Sequence, residues 1–455
     1  MASTPDKVAI RSYNVGFGDC FLLSFQYPAD ERHVLIDFGS TGVPKPIKQG
    51  KRMMDIAKDI KARTNGKLHA VVATHRHKDH ISGFETKPDG KGTGDVIRSL
   101  KPDLVVQPWT EDPDLARDAT GPKDDLGIGT GSQVAALAHM HGVAEATLGE
   151  AKSTRYFSPA LKAQLSFLGD TNINNPSAVK NLMDMAENDY VFCGKKTKLE
   201  KILPGIKIDV LGPPTVKQTE SIKRQRSSDP DEFWQLQALA MRTAGTAKAE
   251  GQVLFPRFVR SRGPTFPIEA RWLIYHAKST RASQVLQIVR MLDSAMNNTS
   301  IILAFQVGKT CLLFPGDAQI ENWQFALQLK DANNKKKYEE LLSNVDLYKV
   351  GHHGSRNATP KSLWGMFKNK SDDRSAAGRL QSLMSTMEHK HGSEDNRTEV
   401  PRKTLVSELD RNSNLFSTNK LADEELFHDT VLTLADGGGE AMRRQPRRRA
   451  RRSRH

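Results

Sequence analysis

The chain has 455 residues, a net charge of +14 and an apolar content of 37%. It contains no apolar run long enough to span a bilayer, which excludes a membrane-spanning protein, and three cysteines in so long a chain argue against a disulfide framework. Because no apolar segment of the kind found in signal peptides follows Met1, we expect a soluble cytoplasmic protein.

Short apolar runs that end in polar loops recur along the chain. The first is His33–Ile36, which reads as a strand and ends at Asp37. A helix is predicted next, from about Pro46 to Arg63, and the run Leu68–Ala73 then predicts a buried strand. The apolar face of the predicted helix consists of Met53, Ile56, Ala57 and Ile60.

Directly after this second strand comes Thr74 and then a His-x-His-x-Asp-His sequence, formed by His75, His77, Asp79 and His80. Imidazoles and a carboxylate at this density suit Zn²⁺ or a similar divalent ion. His75 and His77 can face one ion while Asp79 and His80 turn towards a second. Two such ions would activate a water and hold a substrate oxyanion. The alternative is a surface loop that is polar by chance.

Two later strand ends carry further candidate ligands. The runs Ile301–Phe305 and Thr310–Phe314 flank a turn and predict a hairpin, after which Asp317 stands at a strand end. A carboxylate at that place can bridge two ions. The run Leu347–Val350 then leads into a Gly-His-His-Gly loop at residues 351–354. Each loop is a weak signal by itself, but together with the first motif they predict a metal site.

Segments between residue 8 and about residue 360 carry a resemblance to a known family. The opening Asn14–Leu23 is similar to an Asn-Val-Gly-Gln-Gly-Asp start, and the other matching segments are Asp209–Pro214, Asn297–Ser300, Phe314–Ala318 and Lys349–Ser355. Together with the His-x-His-x-Asp-His sequence, they resemble the metallo-β-lactamase superfamily. Within it, they are similar to the soluble metallo-hydrolase domain of the competence (ComEC-type) DNA-uptake branch.

The resemblance implies an α/β fold, an αββα sandwich of two mixed sheets flanked by helices, with two divalent ions at one edge of the packed sheets. Carried over by position, it implies metal ligation by His75, His77, Asp79, His80, Asp317 and His353, with Asp317 as the bridging carboxylate. His352 would contact the substrate phosphate or the leaving group, although the reverse assignment of His352 and His353 stays open. Asp37 would accept hydrogen bonds from behind the metal loop. Asp79 would also serve as a proton acceptor beside a metal-bridging hydroxide that attacks the substrate.

The sequence departs from many members of that superfamily, which have one more histidine ligand between the first motif and the bridging carboxylate. The candidates are His139, His141 and His276. His139 and His141 are more simply the end of a helix, where a cation suits the dipole, and His276 is more simply a core or edge residue. Zn²⁺ fits the imidazoles best, while the carboxylates also admit Mn²⁺.

The length predicts one large domain followed by a tail. This fold needs roughly 200 to 250 residues, so residues 1–435 are predicted to form one hydrolase domain with insertions at about 108–200 and 215–270. Residues 436–455 are predicted to be a disordered tail, since Arg443–Arg454 holds eight arginines and no acidic residue. Such a tail would bind nucleic acid through phosphate contacts. The alternatives are an acidic protein, a membrane surface or a merely solubilising terminus.

Three functions compete at this point. The first is a dinuclear metal-dependent phosphodiesterase, a nuclease for DNA or RNA, which the branch resemblance and the basic tail favour. The second is a hydrolase of a small ester, lactam or phosphodiester, because one dinuclear site serves all of these reactions. The third is a non-catalytic nucleic-acid-binding protein that retains the fold, and the complete set of predicted ligands argues against it.

Overall fold

The computed structural model describes residues 4–112, 175–215, 218, 296–355, 359–391 and 399–434. Over these residues the chain forms two mixed β-sheets flanked by helices, which confirms the predicted α/β class. The predictions made for His139, His141, His276 and the arginine-rich tail concern residues outside these ranges. No helix in the described part of the chain is long and apolar enough to cross a membrane.

The first sheet has seven strands within the described ranges. They are β1 (Lys7–Tyr13), β2 (Cys20–Gln26), β3 (Glu31–Phe38), β4 (Ala70–Val72), β5 (Leu104–Pro108), β6 (Glu187–Val191) and β13 (Phe427–Thr433). Their spatial order is β13-β1-β2-β3-β4-β5-β6. Neighbours from β13 to β3 are antiparallel, whereas β3 to β6 run parallel. The C-terminal ends of β3 and β4 therefore lie side by side.

The second sheet has six strands in the described residues. They are β7 (Lys207–Gly212), β8 (Ile302–Val307), β9 (Thr310–Phe314), β10 (Val345–Lys349), β11 (Gln381–Met384) and β12 (Asn414–Ser417), in the spatial order β12-β11-β10-β9-β8-β7. The predicted hairpin is confirmed as β8 and β9, whose turn contains Gly308 at φ 58°. Because β9 and β10 are parallel, their C-terminal ends also meet.

The described helices are α1 (Gln49–Arg63), α2 (Lys78–Ile81), α3 (Thr93–Ser99), α4 (Pro176–Asp184), α5 (Leu199–Ile202), α6 (Ile320–Gln328), α7 (Glu339–Ser343), α8 (Lys361–Met366) and α9 (Lys403–Asn412). The helix predicted from about Pro46 to Arg63 is confirmed as α1. It begins later than predicted because Lys48 still has an extended backbone, and all four residues of its predicted apolar face are buried.

Alternation along the strands gives each sheet two apolar faces. The inner faces pack on each other, and the aromatic rings of Phe21 and Phe314 meet there at 6.1 Å between centroids. The outer face of the first sheet packs against α1 and α3, and that of the second against α6, α7 and α8. The two-sheet core lies between layers of helices, and this packing fixes the strand ends of both sheets at a common edge.

Residues 175–200 lie in the segment predicted as an insertion from about 108 to 200, yet they add α4 and the strand β6 to the structure. β6 pairs with β5 along its whole length, from Glu187 opposite Leu104 to Val191 opposite Pro108. Its polar sequence, Glu-Asn-Asp-Tyr-Val, lacks the apolar run that predicts a strand. Residues 113–174 of that segment, and residues 219–270 of the second predicted insertion, lie outside the described ranges.

The loop with the His-x-His-x-Asp-His sequence packs directly on the end of β3. Gly39 follows that strand, and a Cβ atom added to it would lie 2.3 Å from the backbone carbon of Asp79 and 2.3 Å from the backbone nitrogen of His80. Real Cβ atoms essentially never approach other atoms so closely. A glycine is therefore required here, because any side chain would push the loop away from the strand.

We expect Gly39→Ala to lower the free energy of unfolding by about 1–3 kcal/mol, the usual cost of overpacking. Gly50→Ala is the matched control, because nothing lies within 4 Å of a Cβ at that exposed position in α1. The control should be neutral or more stable by up to about 1 kcal/mol. Urea unfolding measures both variants, and equal stability of the two would contradict the close packing at Gly39.

Candidate metal centre

Four side chains from three loops meet at the common edge of the two sheets. Asp79 and His80 come from the loop and short helix after β4, Asp317 follows β9, and His353 follows β10. One ligand atom from each lies within 4.8 Å of the ligand atoms of the others, and all four residues are buried. The structure thus brings together residues that the sequence analysis predicted from separate strand ends.

The distances within this group are those of donor atoms that point at a common centre. His80 Nε2 lies 3.1 Å from Asp317 Oδ2. His353 Nε2 lies 3.1 Å from Asp79 Oδ2 and 3.4 Å from Asp317 Oδ2. Asp317 Oδ2 is therefore close to both imidazoles, which places this oxygen at the middle of the group.

His75 and His77 form a pair beside this group. His75 Nε2 lies 2.9 Å from His77 Nδ1, and the ring of His75 lies 4.1 Å from that of His80, measured between centroids. Both residues are buried. The structure therefore places the pair next to the group of four.

Asp37 lies behind the loop, as the last but one residue of β3. One of its carboxylate oxygens accepts a hydrogen bond from the backbone N–H of Thr74 at 2.8 Å. The other accepts from the Thr74 hydroxyl at 2.7 Å and faces His80 Nδ1 at 2.8 Å. Burial raises the pKa of Asp37, and the neighbouring His80 only partly offsets this effect. The contact at Nδ1 orients the His80 ring, which turns Nε2 towards Asp317.

The two neighbouring histidines after β10 have different environments. His353 is buried, and its Nδ1 lies 3.1 Å from the backbone oxygen of Ser385, which turns Nε2 into the group of four. The ring of His352 turns instead towards Ser355, with Nδ1 at 2.8 Å from the hydroxyl. The backbone N–H of His352 donates to Asp317 Oδ1 at 3.0 Å. The geometry therefore places the ring of His353 in the group and that of His352 at its margin.

Asp19 and Lys349 also belong to this region, although the sequence analysis gave them no role. Both are buried, and the ammonium of Lys349 contacts Asp19 Oδ2 and lies 3.6 Å from Asp317 Oδ1. Asp19, Asp37 and His80 form a second group whose ligand atoms lie within 4.8 Å of one another. The available signal was a lysine at the end of a buried apolar strand, where a charge needs a partner.

The chemistry of this region fits a divalent cation. The carboxylates of Asp19, Asp37, Asp79 and Asp317 are all buried here. Asp79 Oδ1 is a buried atom without a hydrogen bond in the described part of the chain. Buried charges and buried polar atoms are costly unless they are paired or bind a metal. The Asp and His side chains can therefore hold a metal ion.

The pKa values of these residues in the metal-free protein also fit a site for a cation. Burial raises the pKa of Asp79 and of Asp317, but the surrounding imidazoles, and Lys349 for Asp317, more than offset this and hold both pKa values below the ordinary 3.8. Burial lowers the pKa of His80 and of His353, but nearby carboxylates raise it above the ordinary 6.5. Without a metal, protons on these imidazoles supply the positive charge that balances the carboxylates.

No protein-family model matches this chain, and no curated protein matches it. The assignment of the site therefore depends on the side chains and their geometry.

Metal binding should become tighter as the pH rises above 6.5. A metal ion must displace the proton that the carboxylates hold on His80, whose pKa lies well above the ordinary 6.5. We expect the apparent affinity for Zn²⁺ to increase from pH 6.5 up to the pKa of His80, by about tenfold per pH unit for each displaced proton. Competition with a chromophoric chelator measures this, and a constant affinity over that range would contradict proton displacement at His80.

His353→Ala should lower the metal content and the affinity for Zn²⁺, because it removes one of the two imidazole nitrogens of the group. His352→Ala is the matched control, since the side chain of His352 lies outside the group and its backbone N–H is retained. Loss of a residue that only orients a metal ligand typically lowers metal affinity by roughly 10- to 100-fold. We expect His353→Ala to lower the affinity for Zn²⁺ by more than this, and His352→Ala to lower it by less than about tenfold. Elemental analysis and chelator competition would contradict this assignment if the order of the two variants were reversed.

Proposed function

We propose that this chain is a metal-dependent hydrolase of the metallo-β-lactamase superfamily, similar to its ComEC-type branch, and that it cleaves phosphodiester bonds in nucleic acid. One observation carries the proposal: Asp79, His80, Asp317 and His353 come from both sheets and converge with their ligand atoms within 4.8 Å. Four ionisable residues that follow three different strands have no packing reason to meet in a buried position. Shared ligation of a metal ion would explain why they meet.

We propose two divalent ions at this site. His75 and His77 would hold one ion, Asp79, His80 and His353 would hold the other, and Asp317 would lie between them. The two adjacent sets of side chains support this number, because the His75–His77 pair lies beside the group of Asp79, His80, Asp317 and His353. The imidazole-rich set favours Zn²⁺, and Mn²⁺ is the alternative.

The residues of the chain prepare the site for hydrolysis. Divalent ions, when bound, lower the pKa of a water and polarise a phosphoryl oxygen. Asp37 and the backbone oxygen of Ser385 orient His80 and His353, so their Nε2 atoms are already aimed. Asp79 Oδ1 has no hydrogen-bond partner in the described residues and is available as a proton acceptor. His352 lies at the margin and is partly exposed, and it would contact the substrate phosphate or the leaving group.

Charge favours nucleic acid over a small substrate. The chain carries a net charge of +14, and eight of its arginines lie between residues 443 and 454. Clustered arginines bind polyanions through phosphate contacts that depend on salt. The second candidate is a hydrolase of a small ester, lactam or phosphodiester, which the same residues would serve. A non-catalytic nucleic-acid-binding protein would not need to keep six potential ligands together.

The test is hydrolysis by the purified chain with Zn²⁺ or Mn²⁺. Substrates are single- and double-stranded DNA, RNA, bis-p-nitrophenyl phosphate and a chromogenic lactam. We expect cleavage of nucleic acid, and we expect Asp79→Ala to lower the rate by more than the roughly 10- to 100-fold typical of outer partners. Asp346→Ala is the control, because this carboxylate lies on β10 at the end opposite His353. Full activity of Asp79→Ala would contradict the site.

The same assay on a chain that ends at residue 435 separates the first two candidate functions. A nuclease that uses the tail should lose affinity for DNA and part of its salt dependence, because phosphate contacts disappear. A hydrolase of small substrates should keep its rate. Turnover of only the small diester or the lactam would move the assignment to the second function.

A further inference from the structure

A buried ion pair lies directly beneath the candidate metal ligands. Lys349 is the last residue of β10 and is 2% exposed, and Asp19, just before β2, is fully buried. The ammonium of Lys349 contacts Asp19 Oδ2 and donates a hydrogen bond to the backbone oxygen of Gly316 at 3.1 Å. Buried ion pairs rarely add net stability compared with apolar packing. The pair therefore calls for an explanation other than stability.

The two oxygens of Asp317 face different partners. Oδ1 lies 3.6 Å from the ammonium of Lys349 and accepts a hydrogen bond from the backbone N–H of His352 at 3.0 Å. Oδ2 lies 3.1 Å from His80 Nε2 and 3.4 Å from His353 Nε2. We call Oδ1 the outer oxygen and Oδ2 the inner oxygen. Positive charge and a donor on the outer side leave the inner oxygen facing the ligand nitrogens.

Asp19 is fixed in a position from which it can hold Lys349. Its backbone N–H donates to the backbone oxygen of Asp79 at 2.9 Å, and its backbone oxygen accepts from the N–H of Gly39 at 3.0 Å. Its carboxylate faces the rings of two candidate ligands as well, with Oδ1 at 3.5 Å from His353 Nδ1 and Oδ2 at 3.8 Å from His80 Nδ1. Asp19 thus connects the lysine to the metal loop.

We propose that Asp19 and Lys349 form a fixed pair of charges that orients a ligand of the metal centre, and we call this pair the counter-charge. Asp19 holds the ammonium of Lys349 against the outer oxygen of Asp317, and in that position Lys349 orients Asp317 without competing with metal ions for the inner oxygen. Lys349 also balances Asp19, so that the second group of Asp19, Asp37 and His80 does not take an ion. Both are positioning residues, and the inference rests on the proposed function only in requiring that the centre bind divalent ions.

The charge arrangement predicts an unusual pattern across two variants. In Asp19→Asn the ammonium loses its main partner and pairs with Asp317 alone, where it repels a metal ion. We expect the affinity for Zn²⁺ and Co²⁺ to fall by about 10- to 100-fold, as for other outer partners of metal ligands. Adding Lys349→Met removes the repelling charge, so the double variant should regain at least about tenfold in affinity relative to Asp19→Asn.

Asp189→Asn is the matched control. Asp189 is a buried carboxylate on β6 that pairs with Lys195 at 3.1 Å, outside the candidate metal centre. This variant tests the effect of neutralising a buried, lysine-paired carboxylate on stability alone. We expect it to lose stability with no change in metal affinity.

Chelator competition with Zn²⁺ and the visible spectrum of bound Co²⁺ are the measurements, together with thermal unfolding. An unchanged affinity in Asp19→Asn would overturn the proposal, and so would a double variant that recovers nothing. If Asp19→Asn does not fold, the double variant decides: a loss of more than about 100-fold relative to the unmodified chain would overturn the proposal, since no ammonium remains to compete.

These readouts also separate this inference from the proposed function. An unmodified chain that binds Zn²⁺ but hydrolyses none of the substrates would contradict the hydrolase while the predicted affinity pattern still supports the counter-charge. An unmodified chain that binds neither Zn²⁺ nor Co²⁺ would overturn both.

Discussion

The burial of four carboxylates in one small region is the constraint on which the rest of the site depends. Asp19, Asp37, Asp79 and Asp317 lie away from water at the common edge of two sheets. Ionised carboxylates are strongly destabilised in such a place unless cations and hydrogen-bond donors surround them. The ammonium of Lys349, the imidazoles, and the hydroxyl and N–H of Thr74 supply that surrounding. Their arrangement explains why so many polar side chains are tolerated beside a well-packed apolar core.

The backbone around these residues is strained, and the strain lies where side chains must be aimed. Asp37, His352 and His353 adopt left-handed conformations with φ values of 55°, 43° and 52°. Such conformations cost free energy in residues other than glycine and persist only where neighbouring contacts enforce them. Here the contacts are the hydrogen bonds of Asp37 to Thr74 and of the His352 N–H to Asp317. A stable scaffold of two packed sheets therefore supports a small region whose local geometry is unfavourable by itself.

Sequence patterns predicted the parts of the protein that depend on local periodicity. The helix α1 and the hairpin of β8 and β9 follow from apolar spacing and turn residues, and both are present. The strand β6 was not predicted, because its polar sequence has no apolar pattern and it forms a strand by pairing with β5. The partnership of Asp19 and Lys349 joins residues far apart in the chain, so no local pattern reveals it. Which of His352 and His353 turns its ring towards the other ligands depends on the left-handed backbone of both residues. The spacing of residues in the sequence does not reveal that backbone conformation.

The candidate centre joins parts of the described chain that are far apart in sequence. Asp79 and His353 are 274 positions apart in sequence, yet their side chains are in hydrogen-bond contact. An ion bound there would join the first sheet to the second in the manner of a non-covalent crosslink. During synthesis, the N-terminal part would leave the ribosome with its His-x-His-x-Asp-His sequence long before Asp317 and His353 exist as partners. An ion could therefore contact Asp79, His80, Asp317 and His353 together only after both sheets have docked.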